Sequence, residues 1–204
     1  MTERPMIFNS EMVRAILDGR KTQTRRPIKF PFKDRNLGCE LSGNELAGEM
    51  SSGNYLNSLF GKPGDRIWVR ETFQGPLFDF DQMDAYCKDS APFEKAQFCV
   101  YKADGKPAPE FFDADDNLHC CWRPSIHMPR WASRILLEIT DVRVERLNAI
   151  TESDASAEGI TDTGFGDLLV DGYRYLWKSI YGDDSWQANP WVWVIEFKHI
   201  EEKS

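Results

Sequence analysis

Between Ile16 and Arg26 the chain reads Ile-Leu-Asp-Gly-Arg-Lys-Thr-Gln-Thr-Arg-Arg, which sets Arg20, Lys21, Arg25 and Arg26 beside the hydroxyls of Thr22 and Thr24. A lysine activates a hydroxyl only when burial or another cation lowers its pKa. Arg20, Arg25 and Arg26 supply that neighbouring charge. Lys21 and Thr24, three apart on an extended or turning segment, therefore form a candidate amine–hydroxyl pair if the backbone curves. The cluster also suits an anionic or polar ligand at a helix exit, and the same residues read equally as surface groups.

Two other places carry chemistry. Ile67, Val69, Glu71 and Phe73 share one face of a strand, and an ionised acid in such a row needs a partner. Arg26 or Arg70 would serve in a structural ion pair; otherwise Glu71 is a rival carboxylate for the lysine. The segment His127-Met-Pro-Arg-Trp131 reads as a rigid turn. Trp131 there can stack on a base while Arg130 or Arg134 meets a phosphate or carbonyl edge, although a proline-linked tryptophan ahead of a strand also serves as a core plug. His119, Cys120, Cys121 and His127 lack the spacing of a metal site. No metal and no cofactor are expected.

The elements that must hold these groups follow from periodicity. Met6 to Phe8 suggests a strand. Met12, Val13, Ile16 and Leu17 fall on one face of a helix behind a cap at Asn9 or Ser10, and Gly19 stands where a left-handed residue ends a helix. Residues 36–63 read as a glycine-, asparagine- and serine-rich loop that is mobile, 66–73 as a strand, 75–97 as an insertion, 98–101 as a strand and 104–117 as a polar excursion. Ile135, Leu137 and Ile139 alternate, and Val142 and Val144 continue in the opposite phase, so the strand slips near Thr140-Asp141. Thr151 and Asp154 open a short acidic helix that Gly159 stops. Leu169, Tyr173, Leu176, Trp177 and Ile180 form a helical stripe, and Trp191 to Phe197 is a strand apolar on both faces.

A chain of 204 residues buries roughly 70% of its unfolded surface and needs no staple. Its 33 acidic and 25 basic residues give a net charge of −8, which opposes tight binding to long duplex DNA, a mode dominated by phosphate contacts. Basic residues gather between Arg14 and Arg35, leaving room for a small ligand or a short single strand. Five cysteines without CxxC spacing, no apolar run near 18 residues and no signal pattern point to a reduced, cytoplasmic protein that meets no membrane.

Gly19-x-Lys21-x-x-Thr24-x-Arg26, after an apolar helix, resembles the signature of the ASCH domain, a PUA-like β-barrel linked to RNA and modified nucleosides. The commonest form of that signature has Glu where this chain has Thr24; small bacterial N4-acetylcytidine amidohydrolases of the family have Thr there. The run from Trp191 to Lys198 resembles the family's closing strand, and Ile150 to Ile160 its acidic helix. The whole chain, with residues 122–134, is similar to ASCH proteins of phages and prophages. It is about twice a minimal domain, the extra length lying in residues 30–63 and 74–125.

The resemblance implies an α+β fold: one PUA-like small β-barrel over residues 1–204, with flanking helices and large loop insertions. It also implies a site in which Lys21 is base, Thr24 is nucleophile or water-positioning group, and Glu158 is the carboxylate, with Arg20, Arg25, Arg26, Glu71, Arg130, Trp131 and Arg134 around the substrate. The expected activity is hydrolysis of an amide on a modified pyrimidine nucleoside. A non-catalytic module for a modified base or short single-stranded RNA, and a metal-independent ribonuclease, are the alternatives. Glu158 also reads as a residue that simply helps to end its helix.

Overall fold

The computed structural model describes residues 1–112, 117–161 and 168–200. Its elements are β1 (Glu3–Ile7), α1 (Ser10–Leu17), β2 (Gln23–Pro27), β3 (Phe32–Lys33), β4 (Glu40–Leu41), α2 (Gly43–Ser51), β5 (Arg66–Arg70), β6 (Phe73–Gln74), α3 (Met83–Lys88), β7 (Val100–Tyr101), β8 (Glu110–Phe112), β9 (Leu118–Cys120), β10 (Leu136–Arg146), α4 (Glu152–Ala157), α5 (Leu169–Tyr181) and β11 (Trp191–Ile200), with short 3-10 turns between them. The fold is α+β. Five strands are hydrogen bonded in the order β1-β5-β10-β11-β2. The expected closed barrel is not formed by hydrogen bonds, because no ladder joins β1 to β2 among the described residues. Both edge strands contain a proline, Pro5 in β1 and Pro27 in β2, and proline cannot donate to a further ladder.

The chain divides into two compact units. The first comprises Met1–Thr2, Ala15–Arg66 and Glu138–His199. Here β2 runs antiparallel to β11, with Thr24 opposite Ile195 and Arg26 opposite Trp193. The α4–α5 pair covers one face of β11 through Leu147, Ile150, Ala155, Tyr173, Trp177, Val192 and Val194. Trp193 meets the rings of Phe32 and Phe60 at 6.0 and 6.2 Å. This two-sided cover explains why β11 is apolar on both faces. Within β10 the buried set changes phase as expected, from Leu137 and Ile139 to Val142 and Val144.

Residues 36–63 are more ordered than their composition suggests. β3 and β4 form a ladder, and α2 begins in a capping box in which Ser42 and Glu45 satisfy each other's backbone N–H groups. Gly43 is required at the start of α2, since a Cβ there would lie 2.2 Å from the Trp191 indole.

The second unit is built chiefly from Glu3–Arg14 and Ile67–Leu137. Phe73, Tyr101, Met128 and Ala132 make its core, with Cys99 and Trp131 packed against it. β8, inside the polar excursion, pairs antiparallel with β9 just beyond it, a ladder that periodicity missed, in which Phe111 pairs with His119; residues 113–116 of that excursion lie outside the described residues. α1 starts where the Asn9 side chain accepts from the Met12 N–H at 2.8 Å, but Leu17 and Ile180, both expected on buried stripes, are 42% and 44% exposed.

Candidate functional site

The turn after α1 aims Lys21. Gly19 adopts a left-handed φ of 72°, and the N–H groups of Arg20 and Lys21 both donate to Ala15 O at 2.9 Å. Lys21 then forms an antiparallel bridge with Glu158, and Thr22 N–H donates to Ala157 O at 2.8 Å. The signature segment is thus pinned by its backbone to the end of α4. That end is fixed by the Thr151–Asp154 capping box and by Gly159 at φ 90°, where a Cβ would meet Lys21 Cβ at 3.1 Å.

The side chains complete the contact. Lys21 Nζ donates to Glu158 Oε2 at 2.8 Å and to Glu158 O at 2.9 Å. The exposed fractions of the two side chains are 0% and 2%. Burial pulls the Lys21 pKa below the usual lysine value; the charge and hydrogen bond of Glu158 oppose the shift, and Arg26 and Arg25 add to it. An ion pair so far from water needs its remaining polar atoms matched. Arg25 does this for Glu158, reaching Oε1 at 3.1 Å, Glu145 at 2.7 Å and Asp154 at 3.4 Å, with its guanidinium 5.9 Å from the Tyr173 ring centre.

Arg143 ties the outer carboxylates together. It pairs with Asp154 at 3.0 Å, Glu145 at 3.5 Å and Asp141 at 3.6 Å, and with Glu196, and it donates to Gln23 Oε1 at 3.1 Å. Desolvation alone would raise the Asp154 pKa; the Thr151 N–H and hydroxyl, with Arg25 and Arg143, outweigh it and hold the carboxyl below its usual range.

This geometry departs from a free cationic cluster. Arg20 pairs with Asp18 at 2.8 Å and donates to Gly159 O at 3.2 Å on the surface. Arg25 is enclosed by carboxylates, and Arg26 is half-buried on β2. Thr24 is buried, yet among the described residues Lys21 Nζ bonds to Glu158 and not to the Thr24 hydroxyl. Strand alternation is the reason: residues three apart on extended backbone face opposite ways, whereas Lys21, Gln23 and Arg25 share a side. Gln23, Arg143 and Glu145 belong to the network and were not singled out from sequence, and Asp154, read from sequence only as part of its helix cap, joins them. The polar alternation at 21, 23 and 25, opposite an apolar closing strand, was the available signal.

Glu71, Arg130, Trp131 and Arg134 belong to the other unit. Arg134, not Arg26 or Arg70, is the partner of Glu71, at 3.0 and 3.2 Å, and it also reaches Asp104 at 2.7 Å while lying 3.9 Å from the Tyr101 ring centre. Burial raises the Glu71 pKa; Arg134 opposes the shift and Asp104 adds to it. Arg130 Nε donates to Glu3 at 3.1 Å, and Trp131 is half-buried against the Phe73–Tyr101–Met128 cluster. Among the described residues no three His, Cys, Asp or Glu side chains converge as metal ligands, and no helix is long and apolar enough to cross a membrane.

No family model matches the chain, and no curated protein matches it. Among solved structures it is similar to an ASCH domain from Lactobacillus crispatus JV V101, with 11% identity and a TM-score of 0.42 over 97% of this chain and 79% of that one. It is also similar to a DUF984 protein from Enterococcus faecalis V583, with 11% identity and a TM-score of 0.42 over 100% of this chain and 84% of that one. At those values neither likeness fixes a family or a function.

Proposed function

We propose that the chain is an ASCH-type, PUA-like enzyme that hydrolyses an amide on an acylated or otherwise modified pyrimidine nucleoside such as N4-acetylcytidine. Lys21 is the base, acting on a water, and Glu158 is its partner. One observation carries the reading: the two ionisable residues at the signature and acidic-helix positions, 137 apart in sequence, meet at 2.8 Å in a water-excluded place. A buried lysine with a lowered pKa holds more of the neutral amine that a base requires.

In the proposed reaction the neutral Lys21 amine takes a proton from water as the water oxygen attacks the acyl carbon. The tetrahedral intermediate then breaks its C–N bond, and Lys21 returns the proton to the departing exocyclic amine. Water, the acyl nucleoside and the lysine thus yield a carboxylate, the free nucleoside and a proton, with Lys21 unchanged. Ligand entry requires displacement of the groups that cover Lys21, whose side chain is fully enclosed.

That enclosure favours a second reading, in which the Lys21–Glu158 pair is a buckle between β2 and α4 in a non-catalytic module for a modified base or short single-stranded RNA. Equilibrium binding of N4-acetylcytidine without turnover, retained in Lys21→Met, would select the module. Release of cytidine by the wild type and none by folded Lys21→Met selects the enzyme.

A further inference from the structure

Gln23 is 2% exposed, and its Nε2 has no hydrogen-bond partner. Buried polar atoms are nearly always satisfied, so an orphan beside an ionic network calls for an explanation. The amide cannot simply be turned round. Its Oε1 accepts from Arg143 NH2 at 3.1 Å, and reversing it would set an NH2 against a guanidinium N–H. The Nε2 is therefore committed to donating. Arg25 Nε, two residues along the same strand, is a second buried donor without an acceptor.

Both donors lie on the Lys21 side of β2. Arg143 links Gln23 to Asp154 at 3.0 Å, Asp154 lies 3.4 Å from Arg25, and Arg25 and Lys21 share Glu158. The carboxylates of Glu145, Asp154, Glu158 and Glu196 already match the cations there. A phosphate would meet four negative groups and no unengaged cation among these residues. A neutral oxygen acceptor meets no such repulsion, and an amide N–H is the matching donor for a carbonyl.

We infer that Gln23 is a substrate-binding residue whose side-chain NH2 donates to a carbonyl oxygen of an uncharged pyrimidine nucleoside, and that the site discriminates against the phosphorylated form. The inference rests on the hydrolase reading of the Lys21–Glu158 site. It adds a residue and a charge preference that the signature does not contain. Gln23→Met keeps the length of the side chain and removes the donor, while Arg143 keeps its carboxylates.

Two readouts test it. In 15N-labelled wild-type protein, with the Gln23 side-chain NH2 pair assigned through bonds, titration with cytidine should move that pair, and cytidine 5′-monophosphate should not at equal concentration. Gln23→Met should raise KM for N4-acetylcytidine about tenfold, the loss of one hydrogen bond, with a much smaller change in kcat. If wild type turns over but the NH2 pair stays fixed while other signals move, or the variant keeps the wild-type KM, Gln23 holds a buried water only and this inference fails alone. Absence of both turnover and any cytidine-dependent shift removes the hydrolase reading and this inference together. Should Gln23→Met not fold, the wild-type titration still decides.

Discussion

Replacing Lys21 by Met removes one charge from a buried pair and leaves the other. Orphaning a partner of this kind costs about 3–5 kcal/mol. Glu158 keeps a guanidinium at 3.1 Å from Arg25, which places the expected loss at the lower end, about 3 kcal/mol. For a chain of this size that corresponds to a drop in Tm of about 6–12 °C. Glu158→Met should cost a similar amount, because Lys21 retains only the Glu158 backbone carbonyl at 2.9 Å. The double variant removes both charges, so it should be no less stable than the worse single variant. The assay is a double-mutant cycle by urea denaturation followed by circular dichroism, with an expected coupling of about 3 kcal/mol. Single losses that simply add, within about 0.5 kcal/mol, would refute a direct buried pair.

The lowered Lys21 pKa sets a pH dependence. Below the usual lysine value of 10.5 the unfolded chain binds the proton more tightly, so stability rises with pH through the window between the lowered pKa and 10.5, by up to about 1.4 kcal/mol per pH unit. That rise should be missing in Lys21→Met, and an identical slope in urea titrations of both proteins would contradict the assignment. Glu71→Gln should lose about 2 kcal/mol, measured as Tm, while turnover stays intact; lost turnover at unchanged Tm would move the site to Glu71. Gly159→Ala forces a side chain into a left-handed φ of 90° against Lys21 Cβ. It should cost about 1–2 kcal/mol and reduce turnover with it, and a neutral thermal shift would show that the α4 end tolerates displacement.

Local signals announced much of the frame. The Gly19 turn, the Thr151–Asp154 box and the two-faced apolar run of β11 each depend on neighbours a few residues away, and each stands as the sequence implies. The β8–β9 ladder and the α2 capping box were legible in principle, yet polar composition over 36–63 and 104–117 masked β8 and α2. Long-range pairing was harder. Glu71 meets Arg134 across 63 residues, a partner that nothing local distinguishes from Arg26 or Arg70. Nor does a run of cations reveal its counter-charges. Glu145 and Asp154, which enclose Arg25, sit 120 and 129 residues away, on β10 and α4. The openness of the sheet was written in Pro5 and Pro27, whose missing N–H groups fall on the strands that became its edges.

The most direct measurement is chromatographic release of cytidine from N4-acetylcytidine by the wild-type protein and by Lys21→Met, with folding of both checked by circular dichroism. Hydrolysis by wild type and none by the folded variant is the expected result. Turnover that survives the loss of Lys21, or none by either protein at high enzyme concentration, would contradict a lysine-based amidohydrolase at this site.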